Sequence, residues 1–376
     1  MAGIYIHIPF CRQACTYCNF HYSTRQKDQD RLLNAIGREI ELTPRFEETE
    51  SIGSIYFGGG TPSLIKPEKL DEILHVIRKK FPVDKEAEIT FEANPDDISR
   101  ETLADWEALG INRLSIGIQS FNDEELRWMN RAHVAKQSIS ALELVTASGI
   151  KNFSIDLIYG SNLQSDEQLG QNLEMVDCFS VPHISCYGLT VEPKTKLHHL
   201  VASGKDQFPD EQKQARQFLL VMNWMQERGY EHYEVSNYAL PGMRSRHNSS
   251  YWGGLPYYGF GPSAHSFNGH HIRSWNIANN AIYTQQIEMG ILPAEREELT
   301  ETQLLNEYIM TRLRTLEGLD LDYIENSWGI QSKSRIEKAC LGYIKRGLLE
   351  IKNQNRILTQ EGMLMADGIA ADLFTV

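Results

Sequence analysis

From the N-terminus to about residue 240 the chain alternates two hydrophobic rhythms. Short runs rich in β-branched and aromatic residues, GIYIHI, SIGSIYF, AEITFEA, INRLSIGIQ, NFSIDLIYG and HISCYGLTV, read as six strands. Between and after them lie RLLNAIGREIEL, PEKLDEILHVIRKKF, RETLADWEALG, AKQSISALELVTASG, SDEQLGQNLEMVDCF and DEQKQARQFLLVMNWMQERG. These place apolar residues three and four apart, several with Gly just past the end, and read as helices. Six consecutive βα units imply a parallel sheet with its helices outside. The predicted fold class is therefore α/β, a partial (βα)6 TIM-like barrel over residues 1–240, with an open doubly wound sheet as the alternative.

The rhythm then breaks. Residues 241–299 are rich in Gly, Tyr, Trp and His without a clear period and read as an irregular, ordered insert. From 300 to 376, TETQLLNEYIMTRLRT, GLDLDYIENSW and KSRIEKACLGYIKRG look helical, LLEIKNQNRILT looks like a hairpin turning near Asn353, and a last helix follows. Helices followed by a hairpin predict a winged-helix-like module. Acidic residues slightly outnumber basic ones there, which favours packing or partner docking over nucleic acid.

Composition narrows the function classes. At 376 residues the chain exceeds what one core supports, so a large domain with a smaller one is expected. No apolar run reaches the length of a membrane span and no secretory leader is visible, so the cytoplasm is the expected compartment, with peripheral membrane association left open. A net charge of −13 argues against nucleic acid as a partner.

Cys11, Cys15 and Cys18 in FCRQACTYCNF form a C-x3-C-x2-C loop directly after the first strand, while Cys178, Cys186 and Cys340 are scattered and read as buried, inert thiols. Three clustered thiolates suit a soft metal centre, an iron–sulfur cluster or zinc. Zinc would need a fourth ligand, for which His7 or His21 stands nearby. In a barrel this loop lies on the C-terminal face, the face that carries active sites. The later strands deliver polar residues to the same rim: Gly58, Gly59 and Gly60 after strand two, Glu92 on strand three, Gln119 on strand four and Asp156 on strand five. Missing side chains at the glycines allow close backbone approach. Two carboxylates and an amide suit a small cofactor with amine and hydroxyl groups, and Arg131 can meet a carboxylate.

These residues resemble the radical S-adenosylmethionine superfamily. Within it YIHIPFC, GGGTPS, LSIGIQSF and NRAH resemble the haem chaperone HemW family, related to the oxygen-independent coproporphyrinogen III dehydrogenase. The resemblance implies a 4Fe-4S cluster held by Cys11, Cys15 and Cys18, with an open iron position for S-adenosylmethionine. It implies cofactor contacts at Tyr5, Gly59, Gly60, Thr61, Glu92, Gln119, Arg131 and Asp156, with Tyr17 beside the cluster. RHNSSYW matches an H-N-x-x-Y-W motif associated with haem binding, which makes His247, Asn248, Tyr251 and Trp252 the expected haem site, with His265, His270 and His271 as other ligand candidates. Haem and haem-accepting proteins are the implied partners. The dehydrogenase carries a longer N-terminal arm and another cysteine where this chain has Phe20, so the carrier reading is preferred to radical decarboxylation. A haem-remodelling radical enzyme is the further alternative.

Overall fold

The structure is a computed structural model that describes residues 1–47 and 51–375. The six predicted strands are present as β1 (Ala2–Ile8), β2 (Ile52–Gly59), β3 (Val83–Ala93), β4 (Arg113–Gln119), β5 (Asn152–Tyr159) and β6 (His183–Gly188). They pair in parallel in sequence order, the arrangement of a barrel wound in one direction, and this excludes the doubly wound alternative. Each connection carries a helix at the predicted place, from Gln29–Leu42 after β1 to Asp166–Cys178 before β6.

Alternation along each strand sorts the chemistry. Ile4, Ile6, Ile55, Phe57, Phe91, Leu114, Ile116, Ile155, Leu157 and Ile184 point outward, are almost fully buried and share one core with the helices. The opposite parity, including Tyr5, Tyr56, Glu92, Ser115, Ser154, Asp156 and Ser185, faces the barrel interior. Polar groups thus gather inside while the hydrophobic core lies between sheet and helices.

The barrel does not close. After β6, β7 (Glu231–Glu234) and β8 (Asn237–Ala239) extend the sheet antiparallel at one edge. The other edge corrects the expectation of an irregular insert over 241–299. That segment forms β9 (Tyr257–Phe260), which pairs in parallel with β1, and then β10 (His265–Phe267), β11 (Ile272–Asn276) and β12 (Ala294–Glu298) as an antiparallel meander. Among the described residues twelve strands form this one sheet. The strands are only three to five residues long and broken by positive-φ Gly261, Ser263 and Gly269, too short for a period to show in sequence.

Residues beyond 300 form a second core around Leu305, Ile309, Leu313, Ile336, Cys340 and Ile369. Helices Glu301–Leu313 and Leu321–Lys345, the latter kinked at Gly329, pack with a hairpin of β13 (Leu349–Lys352) and β14 (Asn355–Leu358). Asn353 and Gln354, both at positive φ, make the predicted turn. The module joins the barrel where Val235 N–H donates to Arg314 and Leu316 N–H donates to Tyr233, at 3.1 and 3.0 Å.

Candidate functional site

At the C-terminal end of the parallel strands a cavity of about 530 Å³ opens, lined by all three clustered cysteines. The loop that carries them has no regular structure and is held by others. Cys11 N–H donates to Ser23, Thr16 N–H to Met129, and Leu197 N–H to Thr16, at 3.0, 3.0 and 2.8 Å. Asn130 Nδ2 donates to Ala14 at 2.7 Å. Gly60 N–H meets Ile8 at 2.8 Å and Thr61 N–H meets Phe10 at 2.7 Å, fastening β2 to the base of the loop.

Gly59 has φ +108°, and a Cβ there would stand 2.5 Å from the His7 ring; one on Gly60 would stand 2.7 Å from the carbonyls of Ile8 and Phe10. The glycines are therefore required by close approach within the protein, which leaves the strand-end backbone facing the cavity. Gln119, also on the wall, is held at φ 67° where the register with β5 slips, a strained conformation of the sort that clusters at functional sites.

Glu92 is shut off from bulk solvent but open to the cavity. It accepts from Tyr56 Oη at 2.8 Å and Gly59 N–H at 3.1 Å, and burial raises its pKa to about 7, more than these donors lower it. Asp156 lines the cavity too, pushed by burial to about 6 against the pull of Ser185, Arg113 and Arg131. Arg131 donates to Cys15 Sγ at 3.3 Å, Asn94 Oδ1 at 2.7 Å and the Gly117 carbonyl at 2.8 Å, while its buried Nε has no partner. Burial pushes the Cys18 thiol up to about 11 and raises Cys11 as well, so ligation would displace their protons.

Of the predicted cofactor residues, Tyr17, Gly59, Gly60, Thr61, Glu92, Gln119, Arg131 and Asp156 all line this cavity. Tyr5 does not reach it. It sits one layer deeper, its hydroxyl 3.0 Å from His7 Nδ1. Tyr56, Asn94, Ser115, Ser154, Ser185 and Tyr187 line the cavity unforeseen, although strand alternation places most of them on the inward parity.

The histidines that were to close a zinc site are committed elsewhere. His7 bonds Tyr5 and the His21 carbonyl, His21 bonds Asn280, and neither lines the cavity. Among the described residues no three His, Cys, Asp or Glu side chains gather closely enough for one metal ion. The three thiols share one cavity wall with no fourth cysteine and no histidine on it, an incomplete ligand set for closed tetrahedral zinc and a sufficient one for an iron–sulfur cluster with an open position. Of the scattered cysteines, Cys186 and Cys340 are buried as expected, whereas Cys178 is exposed because it ends a surface helix.

The expected haem motif lies on a short helix, Arg246–Trp252, whose first N–H groups, on Arg246 and His247, donate to the Glu88 carboxylate at 3.0 Å each. His247 is 1% exposed. Its Nδ1 pairs with Ser54 Oγ and its Nε2 with Tyr251 Oη, each at 2.9 Å, and its ring stacks on Tyr56. Burial, helped by Arg113, drops its pKa to about 3. In place of an open imidazole, then, the motif supplies a neutral strut inside the barrel. Asn248 lines the cysteine cavity, Tyr251 is half-buried against His247, and Trp252 is half-buried beneath Arg314. His265, His270 and His271 are exposed on the β10–β11 hairpin.

A partial barrel with a three-cysteine loop at its mouth and a glycine-rich second strand end defines a radical S-adenosylmethionine protein. The profile of the Radical SAM superfamily matches residues 5–176, and that of the HemN C-terminal domain matches 299–365. The chain is 31% identical over 372 residues to heme chaperone HemW of Bacillus subtilis, covering 98% of each protein. With its Mycobacterium tuberculosis counterpart it shares 33% identity over 376 residues, covering 99% of this chain and 94% of the relative. It belongs to the heme chaperone HemW family. The solved coproporphyrinogen III oxidase (HemN) of Escherichia coli has the same fold, with a TM-score of 0.84 at 24% identity, covering 100% of this chain and 90% of that one.

Proposed function

We propose that this chain is a haem chaperone of the HemW type, which binds haem and delivers it to acceptor proteins. The kinship with HemW proteins along nearly the whole chain is the observation that carries this reading. Cys11, Cys15 and Cys18 hold a 4Fe-4S cluster, and the cavity walled by Glu92, Gln119, Arg131 and Asp156 takes S-adenosylmethionine. When bound, the cluster supplies an iron without a protein ligand, to which an amine and a carboxylate can coordinate. Tyr5 supports this wall from below through Tyr56. Free thiols at the cluster loop suit a reducing compartment, so we place the protein in the cytoplasm; among the described residues no helix is long and apolar enough to cross a membrane.

For haem we assign the ligand to the exposed hairpin rather than to the buried motif. His247 has both ring nitrogens engaged inside the barrel, while the exposed His265 ring lies beside Trp275, with centroids 6.1 Å apart, and no partner on either nitrogen among the described residues. The ring of His270 is equally free while His271 faces Glu298 at 3.7 Å, and of the two open imidazoles we assign the iron ligand to His265 because Trp275 offers a flat apolar surface beside it. The test uses anaerobically reconstituted protein, given haem or coproporphyrinogen with S-adenosylmethionine and reductant. Transfer of haem to an acceptor with no protoporphyrinogen formed is expected; protoporphyrinogen and 5'-deoxyadenosine appearing in step would overturn the carrier assignment.

A further inference from the structure

Glu125, on the helix Asp123–Trp128 after β4, is fully buried and forms no ion pair among the described residues. Its carboxylate instead takes three hydrogen bonds, from Ser120 Oγ at 2.6 Å, Ser161 Oγ at 2.7 Å and Gln164 Nε2 at 3.1 Å. Ser120 directly follows β4, and Ser161 and Gln164 lie in the loop after β5, so one side chain ties two strand ends together. Because a carboxylate only accepts, it fixes which way each donor points. Ser120 Oγ, having donated, accepts from Asn122 N–H and Asn172 Nδ2 at 3.0 and 3.2 Å. None of these side chains lines the cavity. The far end of the same helix grips the cysteine loop. Thr16 N–H and Oγ1 donate to the carbonyls of Met129 and Trp128 at 3.0 and 3.3 Å, and Gln13 Nε2 donates to the Asn130 carbonyl at 2.9 Å. Asn130, held at φ 56°, returns its amide to Ala14, and Arg131 gives Nη1 to Cys15 Sγ. Met129 N–H donates to the Glu125 carbonyl at 2.8 Å, so the grip lies one helical turn from the carboxylate.

We propose that Glu125 is a positioning residue for the cluster: through residues 128–131 it sets the grip on the cysteine loop and the reach of the Arg131 guanidinium to Cys15. This rests on the assignment of Cys11, Cys15 and Cys18 to a 4Fe-4S cluster. A donor to a ligating sulfur stabilises the reduced, more negative cluster, so the Arg131 contact raises the reduction potential. The sign of the change separates positioning from direct charge. Neutralising Glu125 removes a negative charge and by itself would raise the potential, whereas a slackened segment withdraws the Arg131 donor and lowers it. Trp128 Nε1 also donates to Asp206 Oδ2 at 2.8 Å, and Met129 packs in a buried cluster with Ile158, Leu189 and Leu197. These ties persist without Glu125, so its loss loosens the segment and does not release it.

The experiment uses full-length Glu125→Gln and, on the opposing loop with no change of charge, Ser161→Ala. Ile77→Val, in the core beneath the helix Pro67–Lys80, controls for a general loss of stability. Amide exchange of the cysteine loop is followed in cofactor-free protein, and the cluster potential is read by spectroelectrochemical titration after anaerobic reconstitution, without S-adenosylmethionine. In both Glu125→Gln and Ser161→Ala the Thr16 amide exchanges about tenfold faster, the worth of one hydrogen bond to a charged group, and the potential falls. Ile77→Val changes neither. In an Arg131→Met background, where the donor is already gone, neither variant lowers the potential further. Unchanged loop exchange in both variants overturns the proposal, as does a potential that rises in Glu125→Gln or falls equally with and without Arg131. Faster exchange in both variants of a protein whose wild type takes up no iron upholds the grip on the loop and refutes the cluster assignment.

Discussion

The tightest geometrical demand in the site falls on Gly60. A methyl group there would lie 2.7 Å from the Ile8 and Phe10 carbonyl oxygens and 2.8 Å from the Phe10 nitrogen, all backbone atoms that cannot swing aside. The Ile8 and Phe10 oxygens accept the Gly60 and Thr61 N–H groups, so Gly60→Ala fits only by prising β2 from the start of the cysteine loop. Two hydrogen bonds at about 1 kcal/mol each and overpacking strain of about 1–3 kcal/mol give a loss of about 3–5 kcal/mol. The matched control is Gly37→Ala in the helix Gln29–Leu42, where a Cβ meets nothing within 4 Å. That change should stabilise by about 1 kcal/mol. Urea unfolding of the cofactor-free proteins reads the stabilities, and iron and sulfide content after anaerobic reconstitution reads the loop. The expected result is a much lower midpoint with poor cluster retention for Gly60→Ala, and a raised midpoint with full retention for Gly37→Ala. Equal midpoints and equal iron in the two variants would refute the claim that close backbone approach positions the loop.

Single Ser substitutions of Cys11, Cys15 and Cys18 should each abolish most iron and sulfide binding, while Cys178→Ser, at an exposed helix end, should leave both at wild-type levels; iron retained in any of the first three removes that residue from the ligand set. Glu39 is buried under Gly261 N–H, Asn276 and Tyr283, and burial lifts it to about 7. A carboxyl raised in the folded state stays protonated there while the unfolded chain ionises, so its contribution falls as pH rises from about 4.5 to 7, by up to ~3 kcal/mol. Glu39→Gln should flatten that fall and, by setting an amide donor against the existing donors, cost about 1–3 kcal/mol at pH 5; parallel pH–stability curves for variant and wild type would rule out Glu39 as the source. His247→Ala leaves a cavity beneath Tyr56 and should weaken S-adenosylmethionine binding more than haem binding, with His265→Ala doing the reverse. Haem titrations in which His247→Ala alone loses the iron–imidazole spectrum would return the ligand to the motif.

What the sequence could disclose follows from how local each cause is. The six parallel strands and their helices carry their periodicity within one element, so they were readable to within a few residues. Eight of the nine expected cofactor residues reached one cavity because a parallel barrel sends every strand end to the same face, a constraint that needs only the strand assignment. Tyr5 stands apart from the cavity wall for a reason of depth: its parity is inward, but height along the barrel axis depends on strand tilt, which no single strand encodes. Tyr56 was missed through the opposite omission, since Tyr56 and Glu92 meet only across the β2–β3 register. The scattered cysteines show the same limit: Cys178 is exposed at the end of the surface helix Asp166–Cys178, whereas Cys186 is buried on β6 at the same parity as Ile184.

The segment 241–299 was illegible because its order is imposed by its neighbours. Pairing of β9 with β1 places Tyr258 and Phe260 over the outer core beside Phe81 and turns Tyr257 inward toward Tyr251. The helix Arg246–Trp252 is then carried into the barrel, where Glu88 caps it and Ser54 and Tyr251 claim both nitrogens of His247. A Gly-, Tyr- and His-rich stretch read in isolation suggests an exposed ligand surface, yet here the same composition fills a polar interior. His247 stacks on Tyr56, and Tyr56 holds Glu92, so the haem-associated motif and the wall of the cysteine cavity form one connected assembly. Substitutions in the motif therefore cannot report on haem alone, and separating the two roles requires measuring cofactor and haem affinity on the same variants.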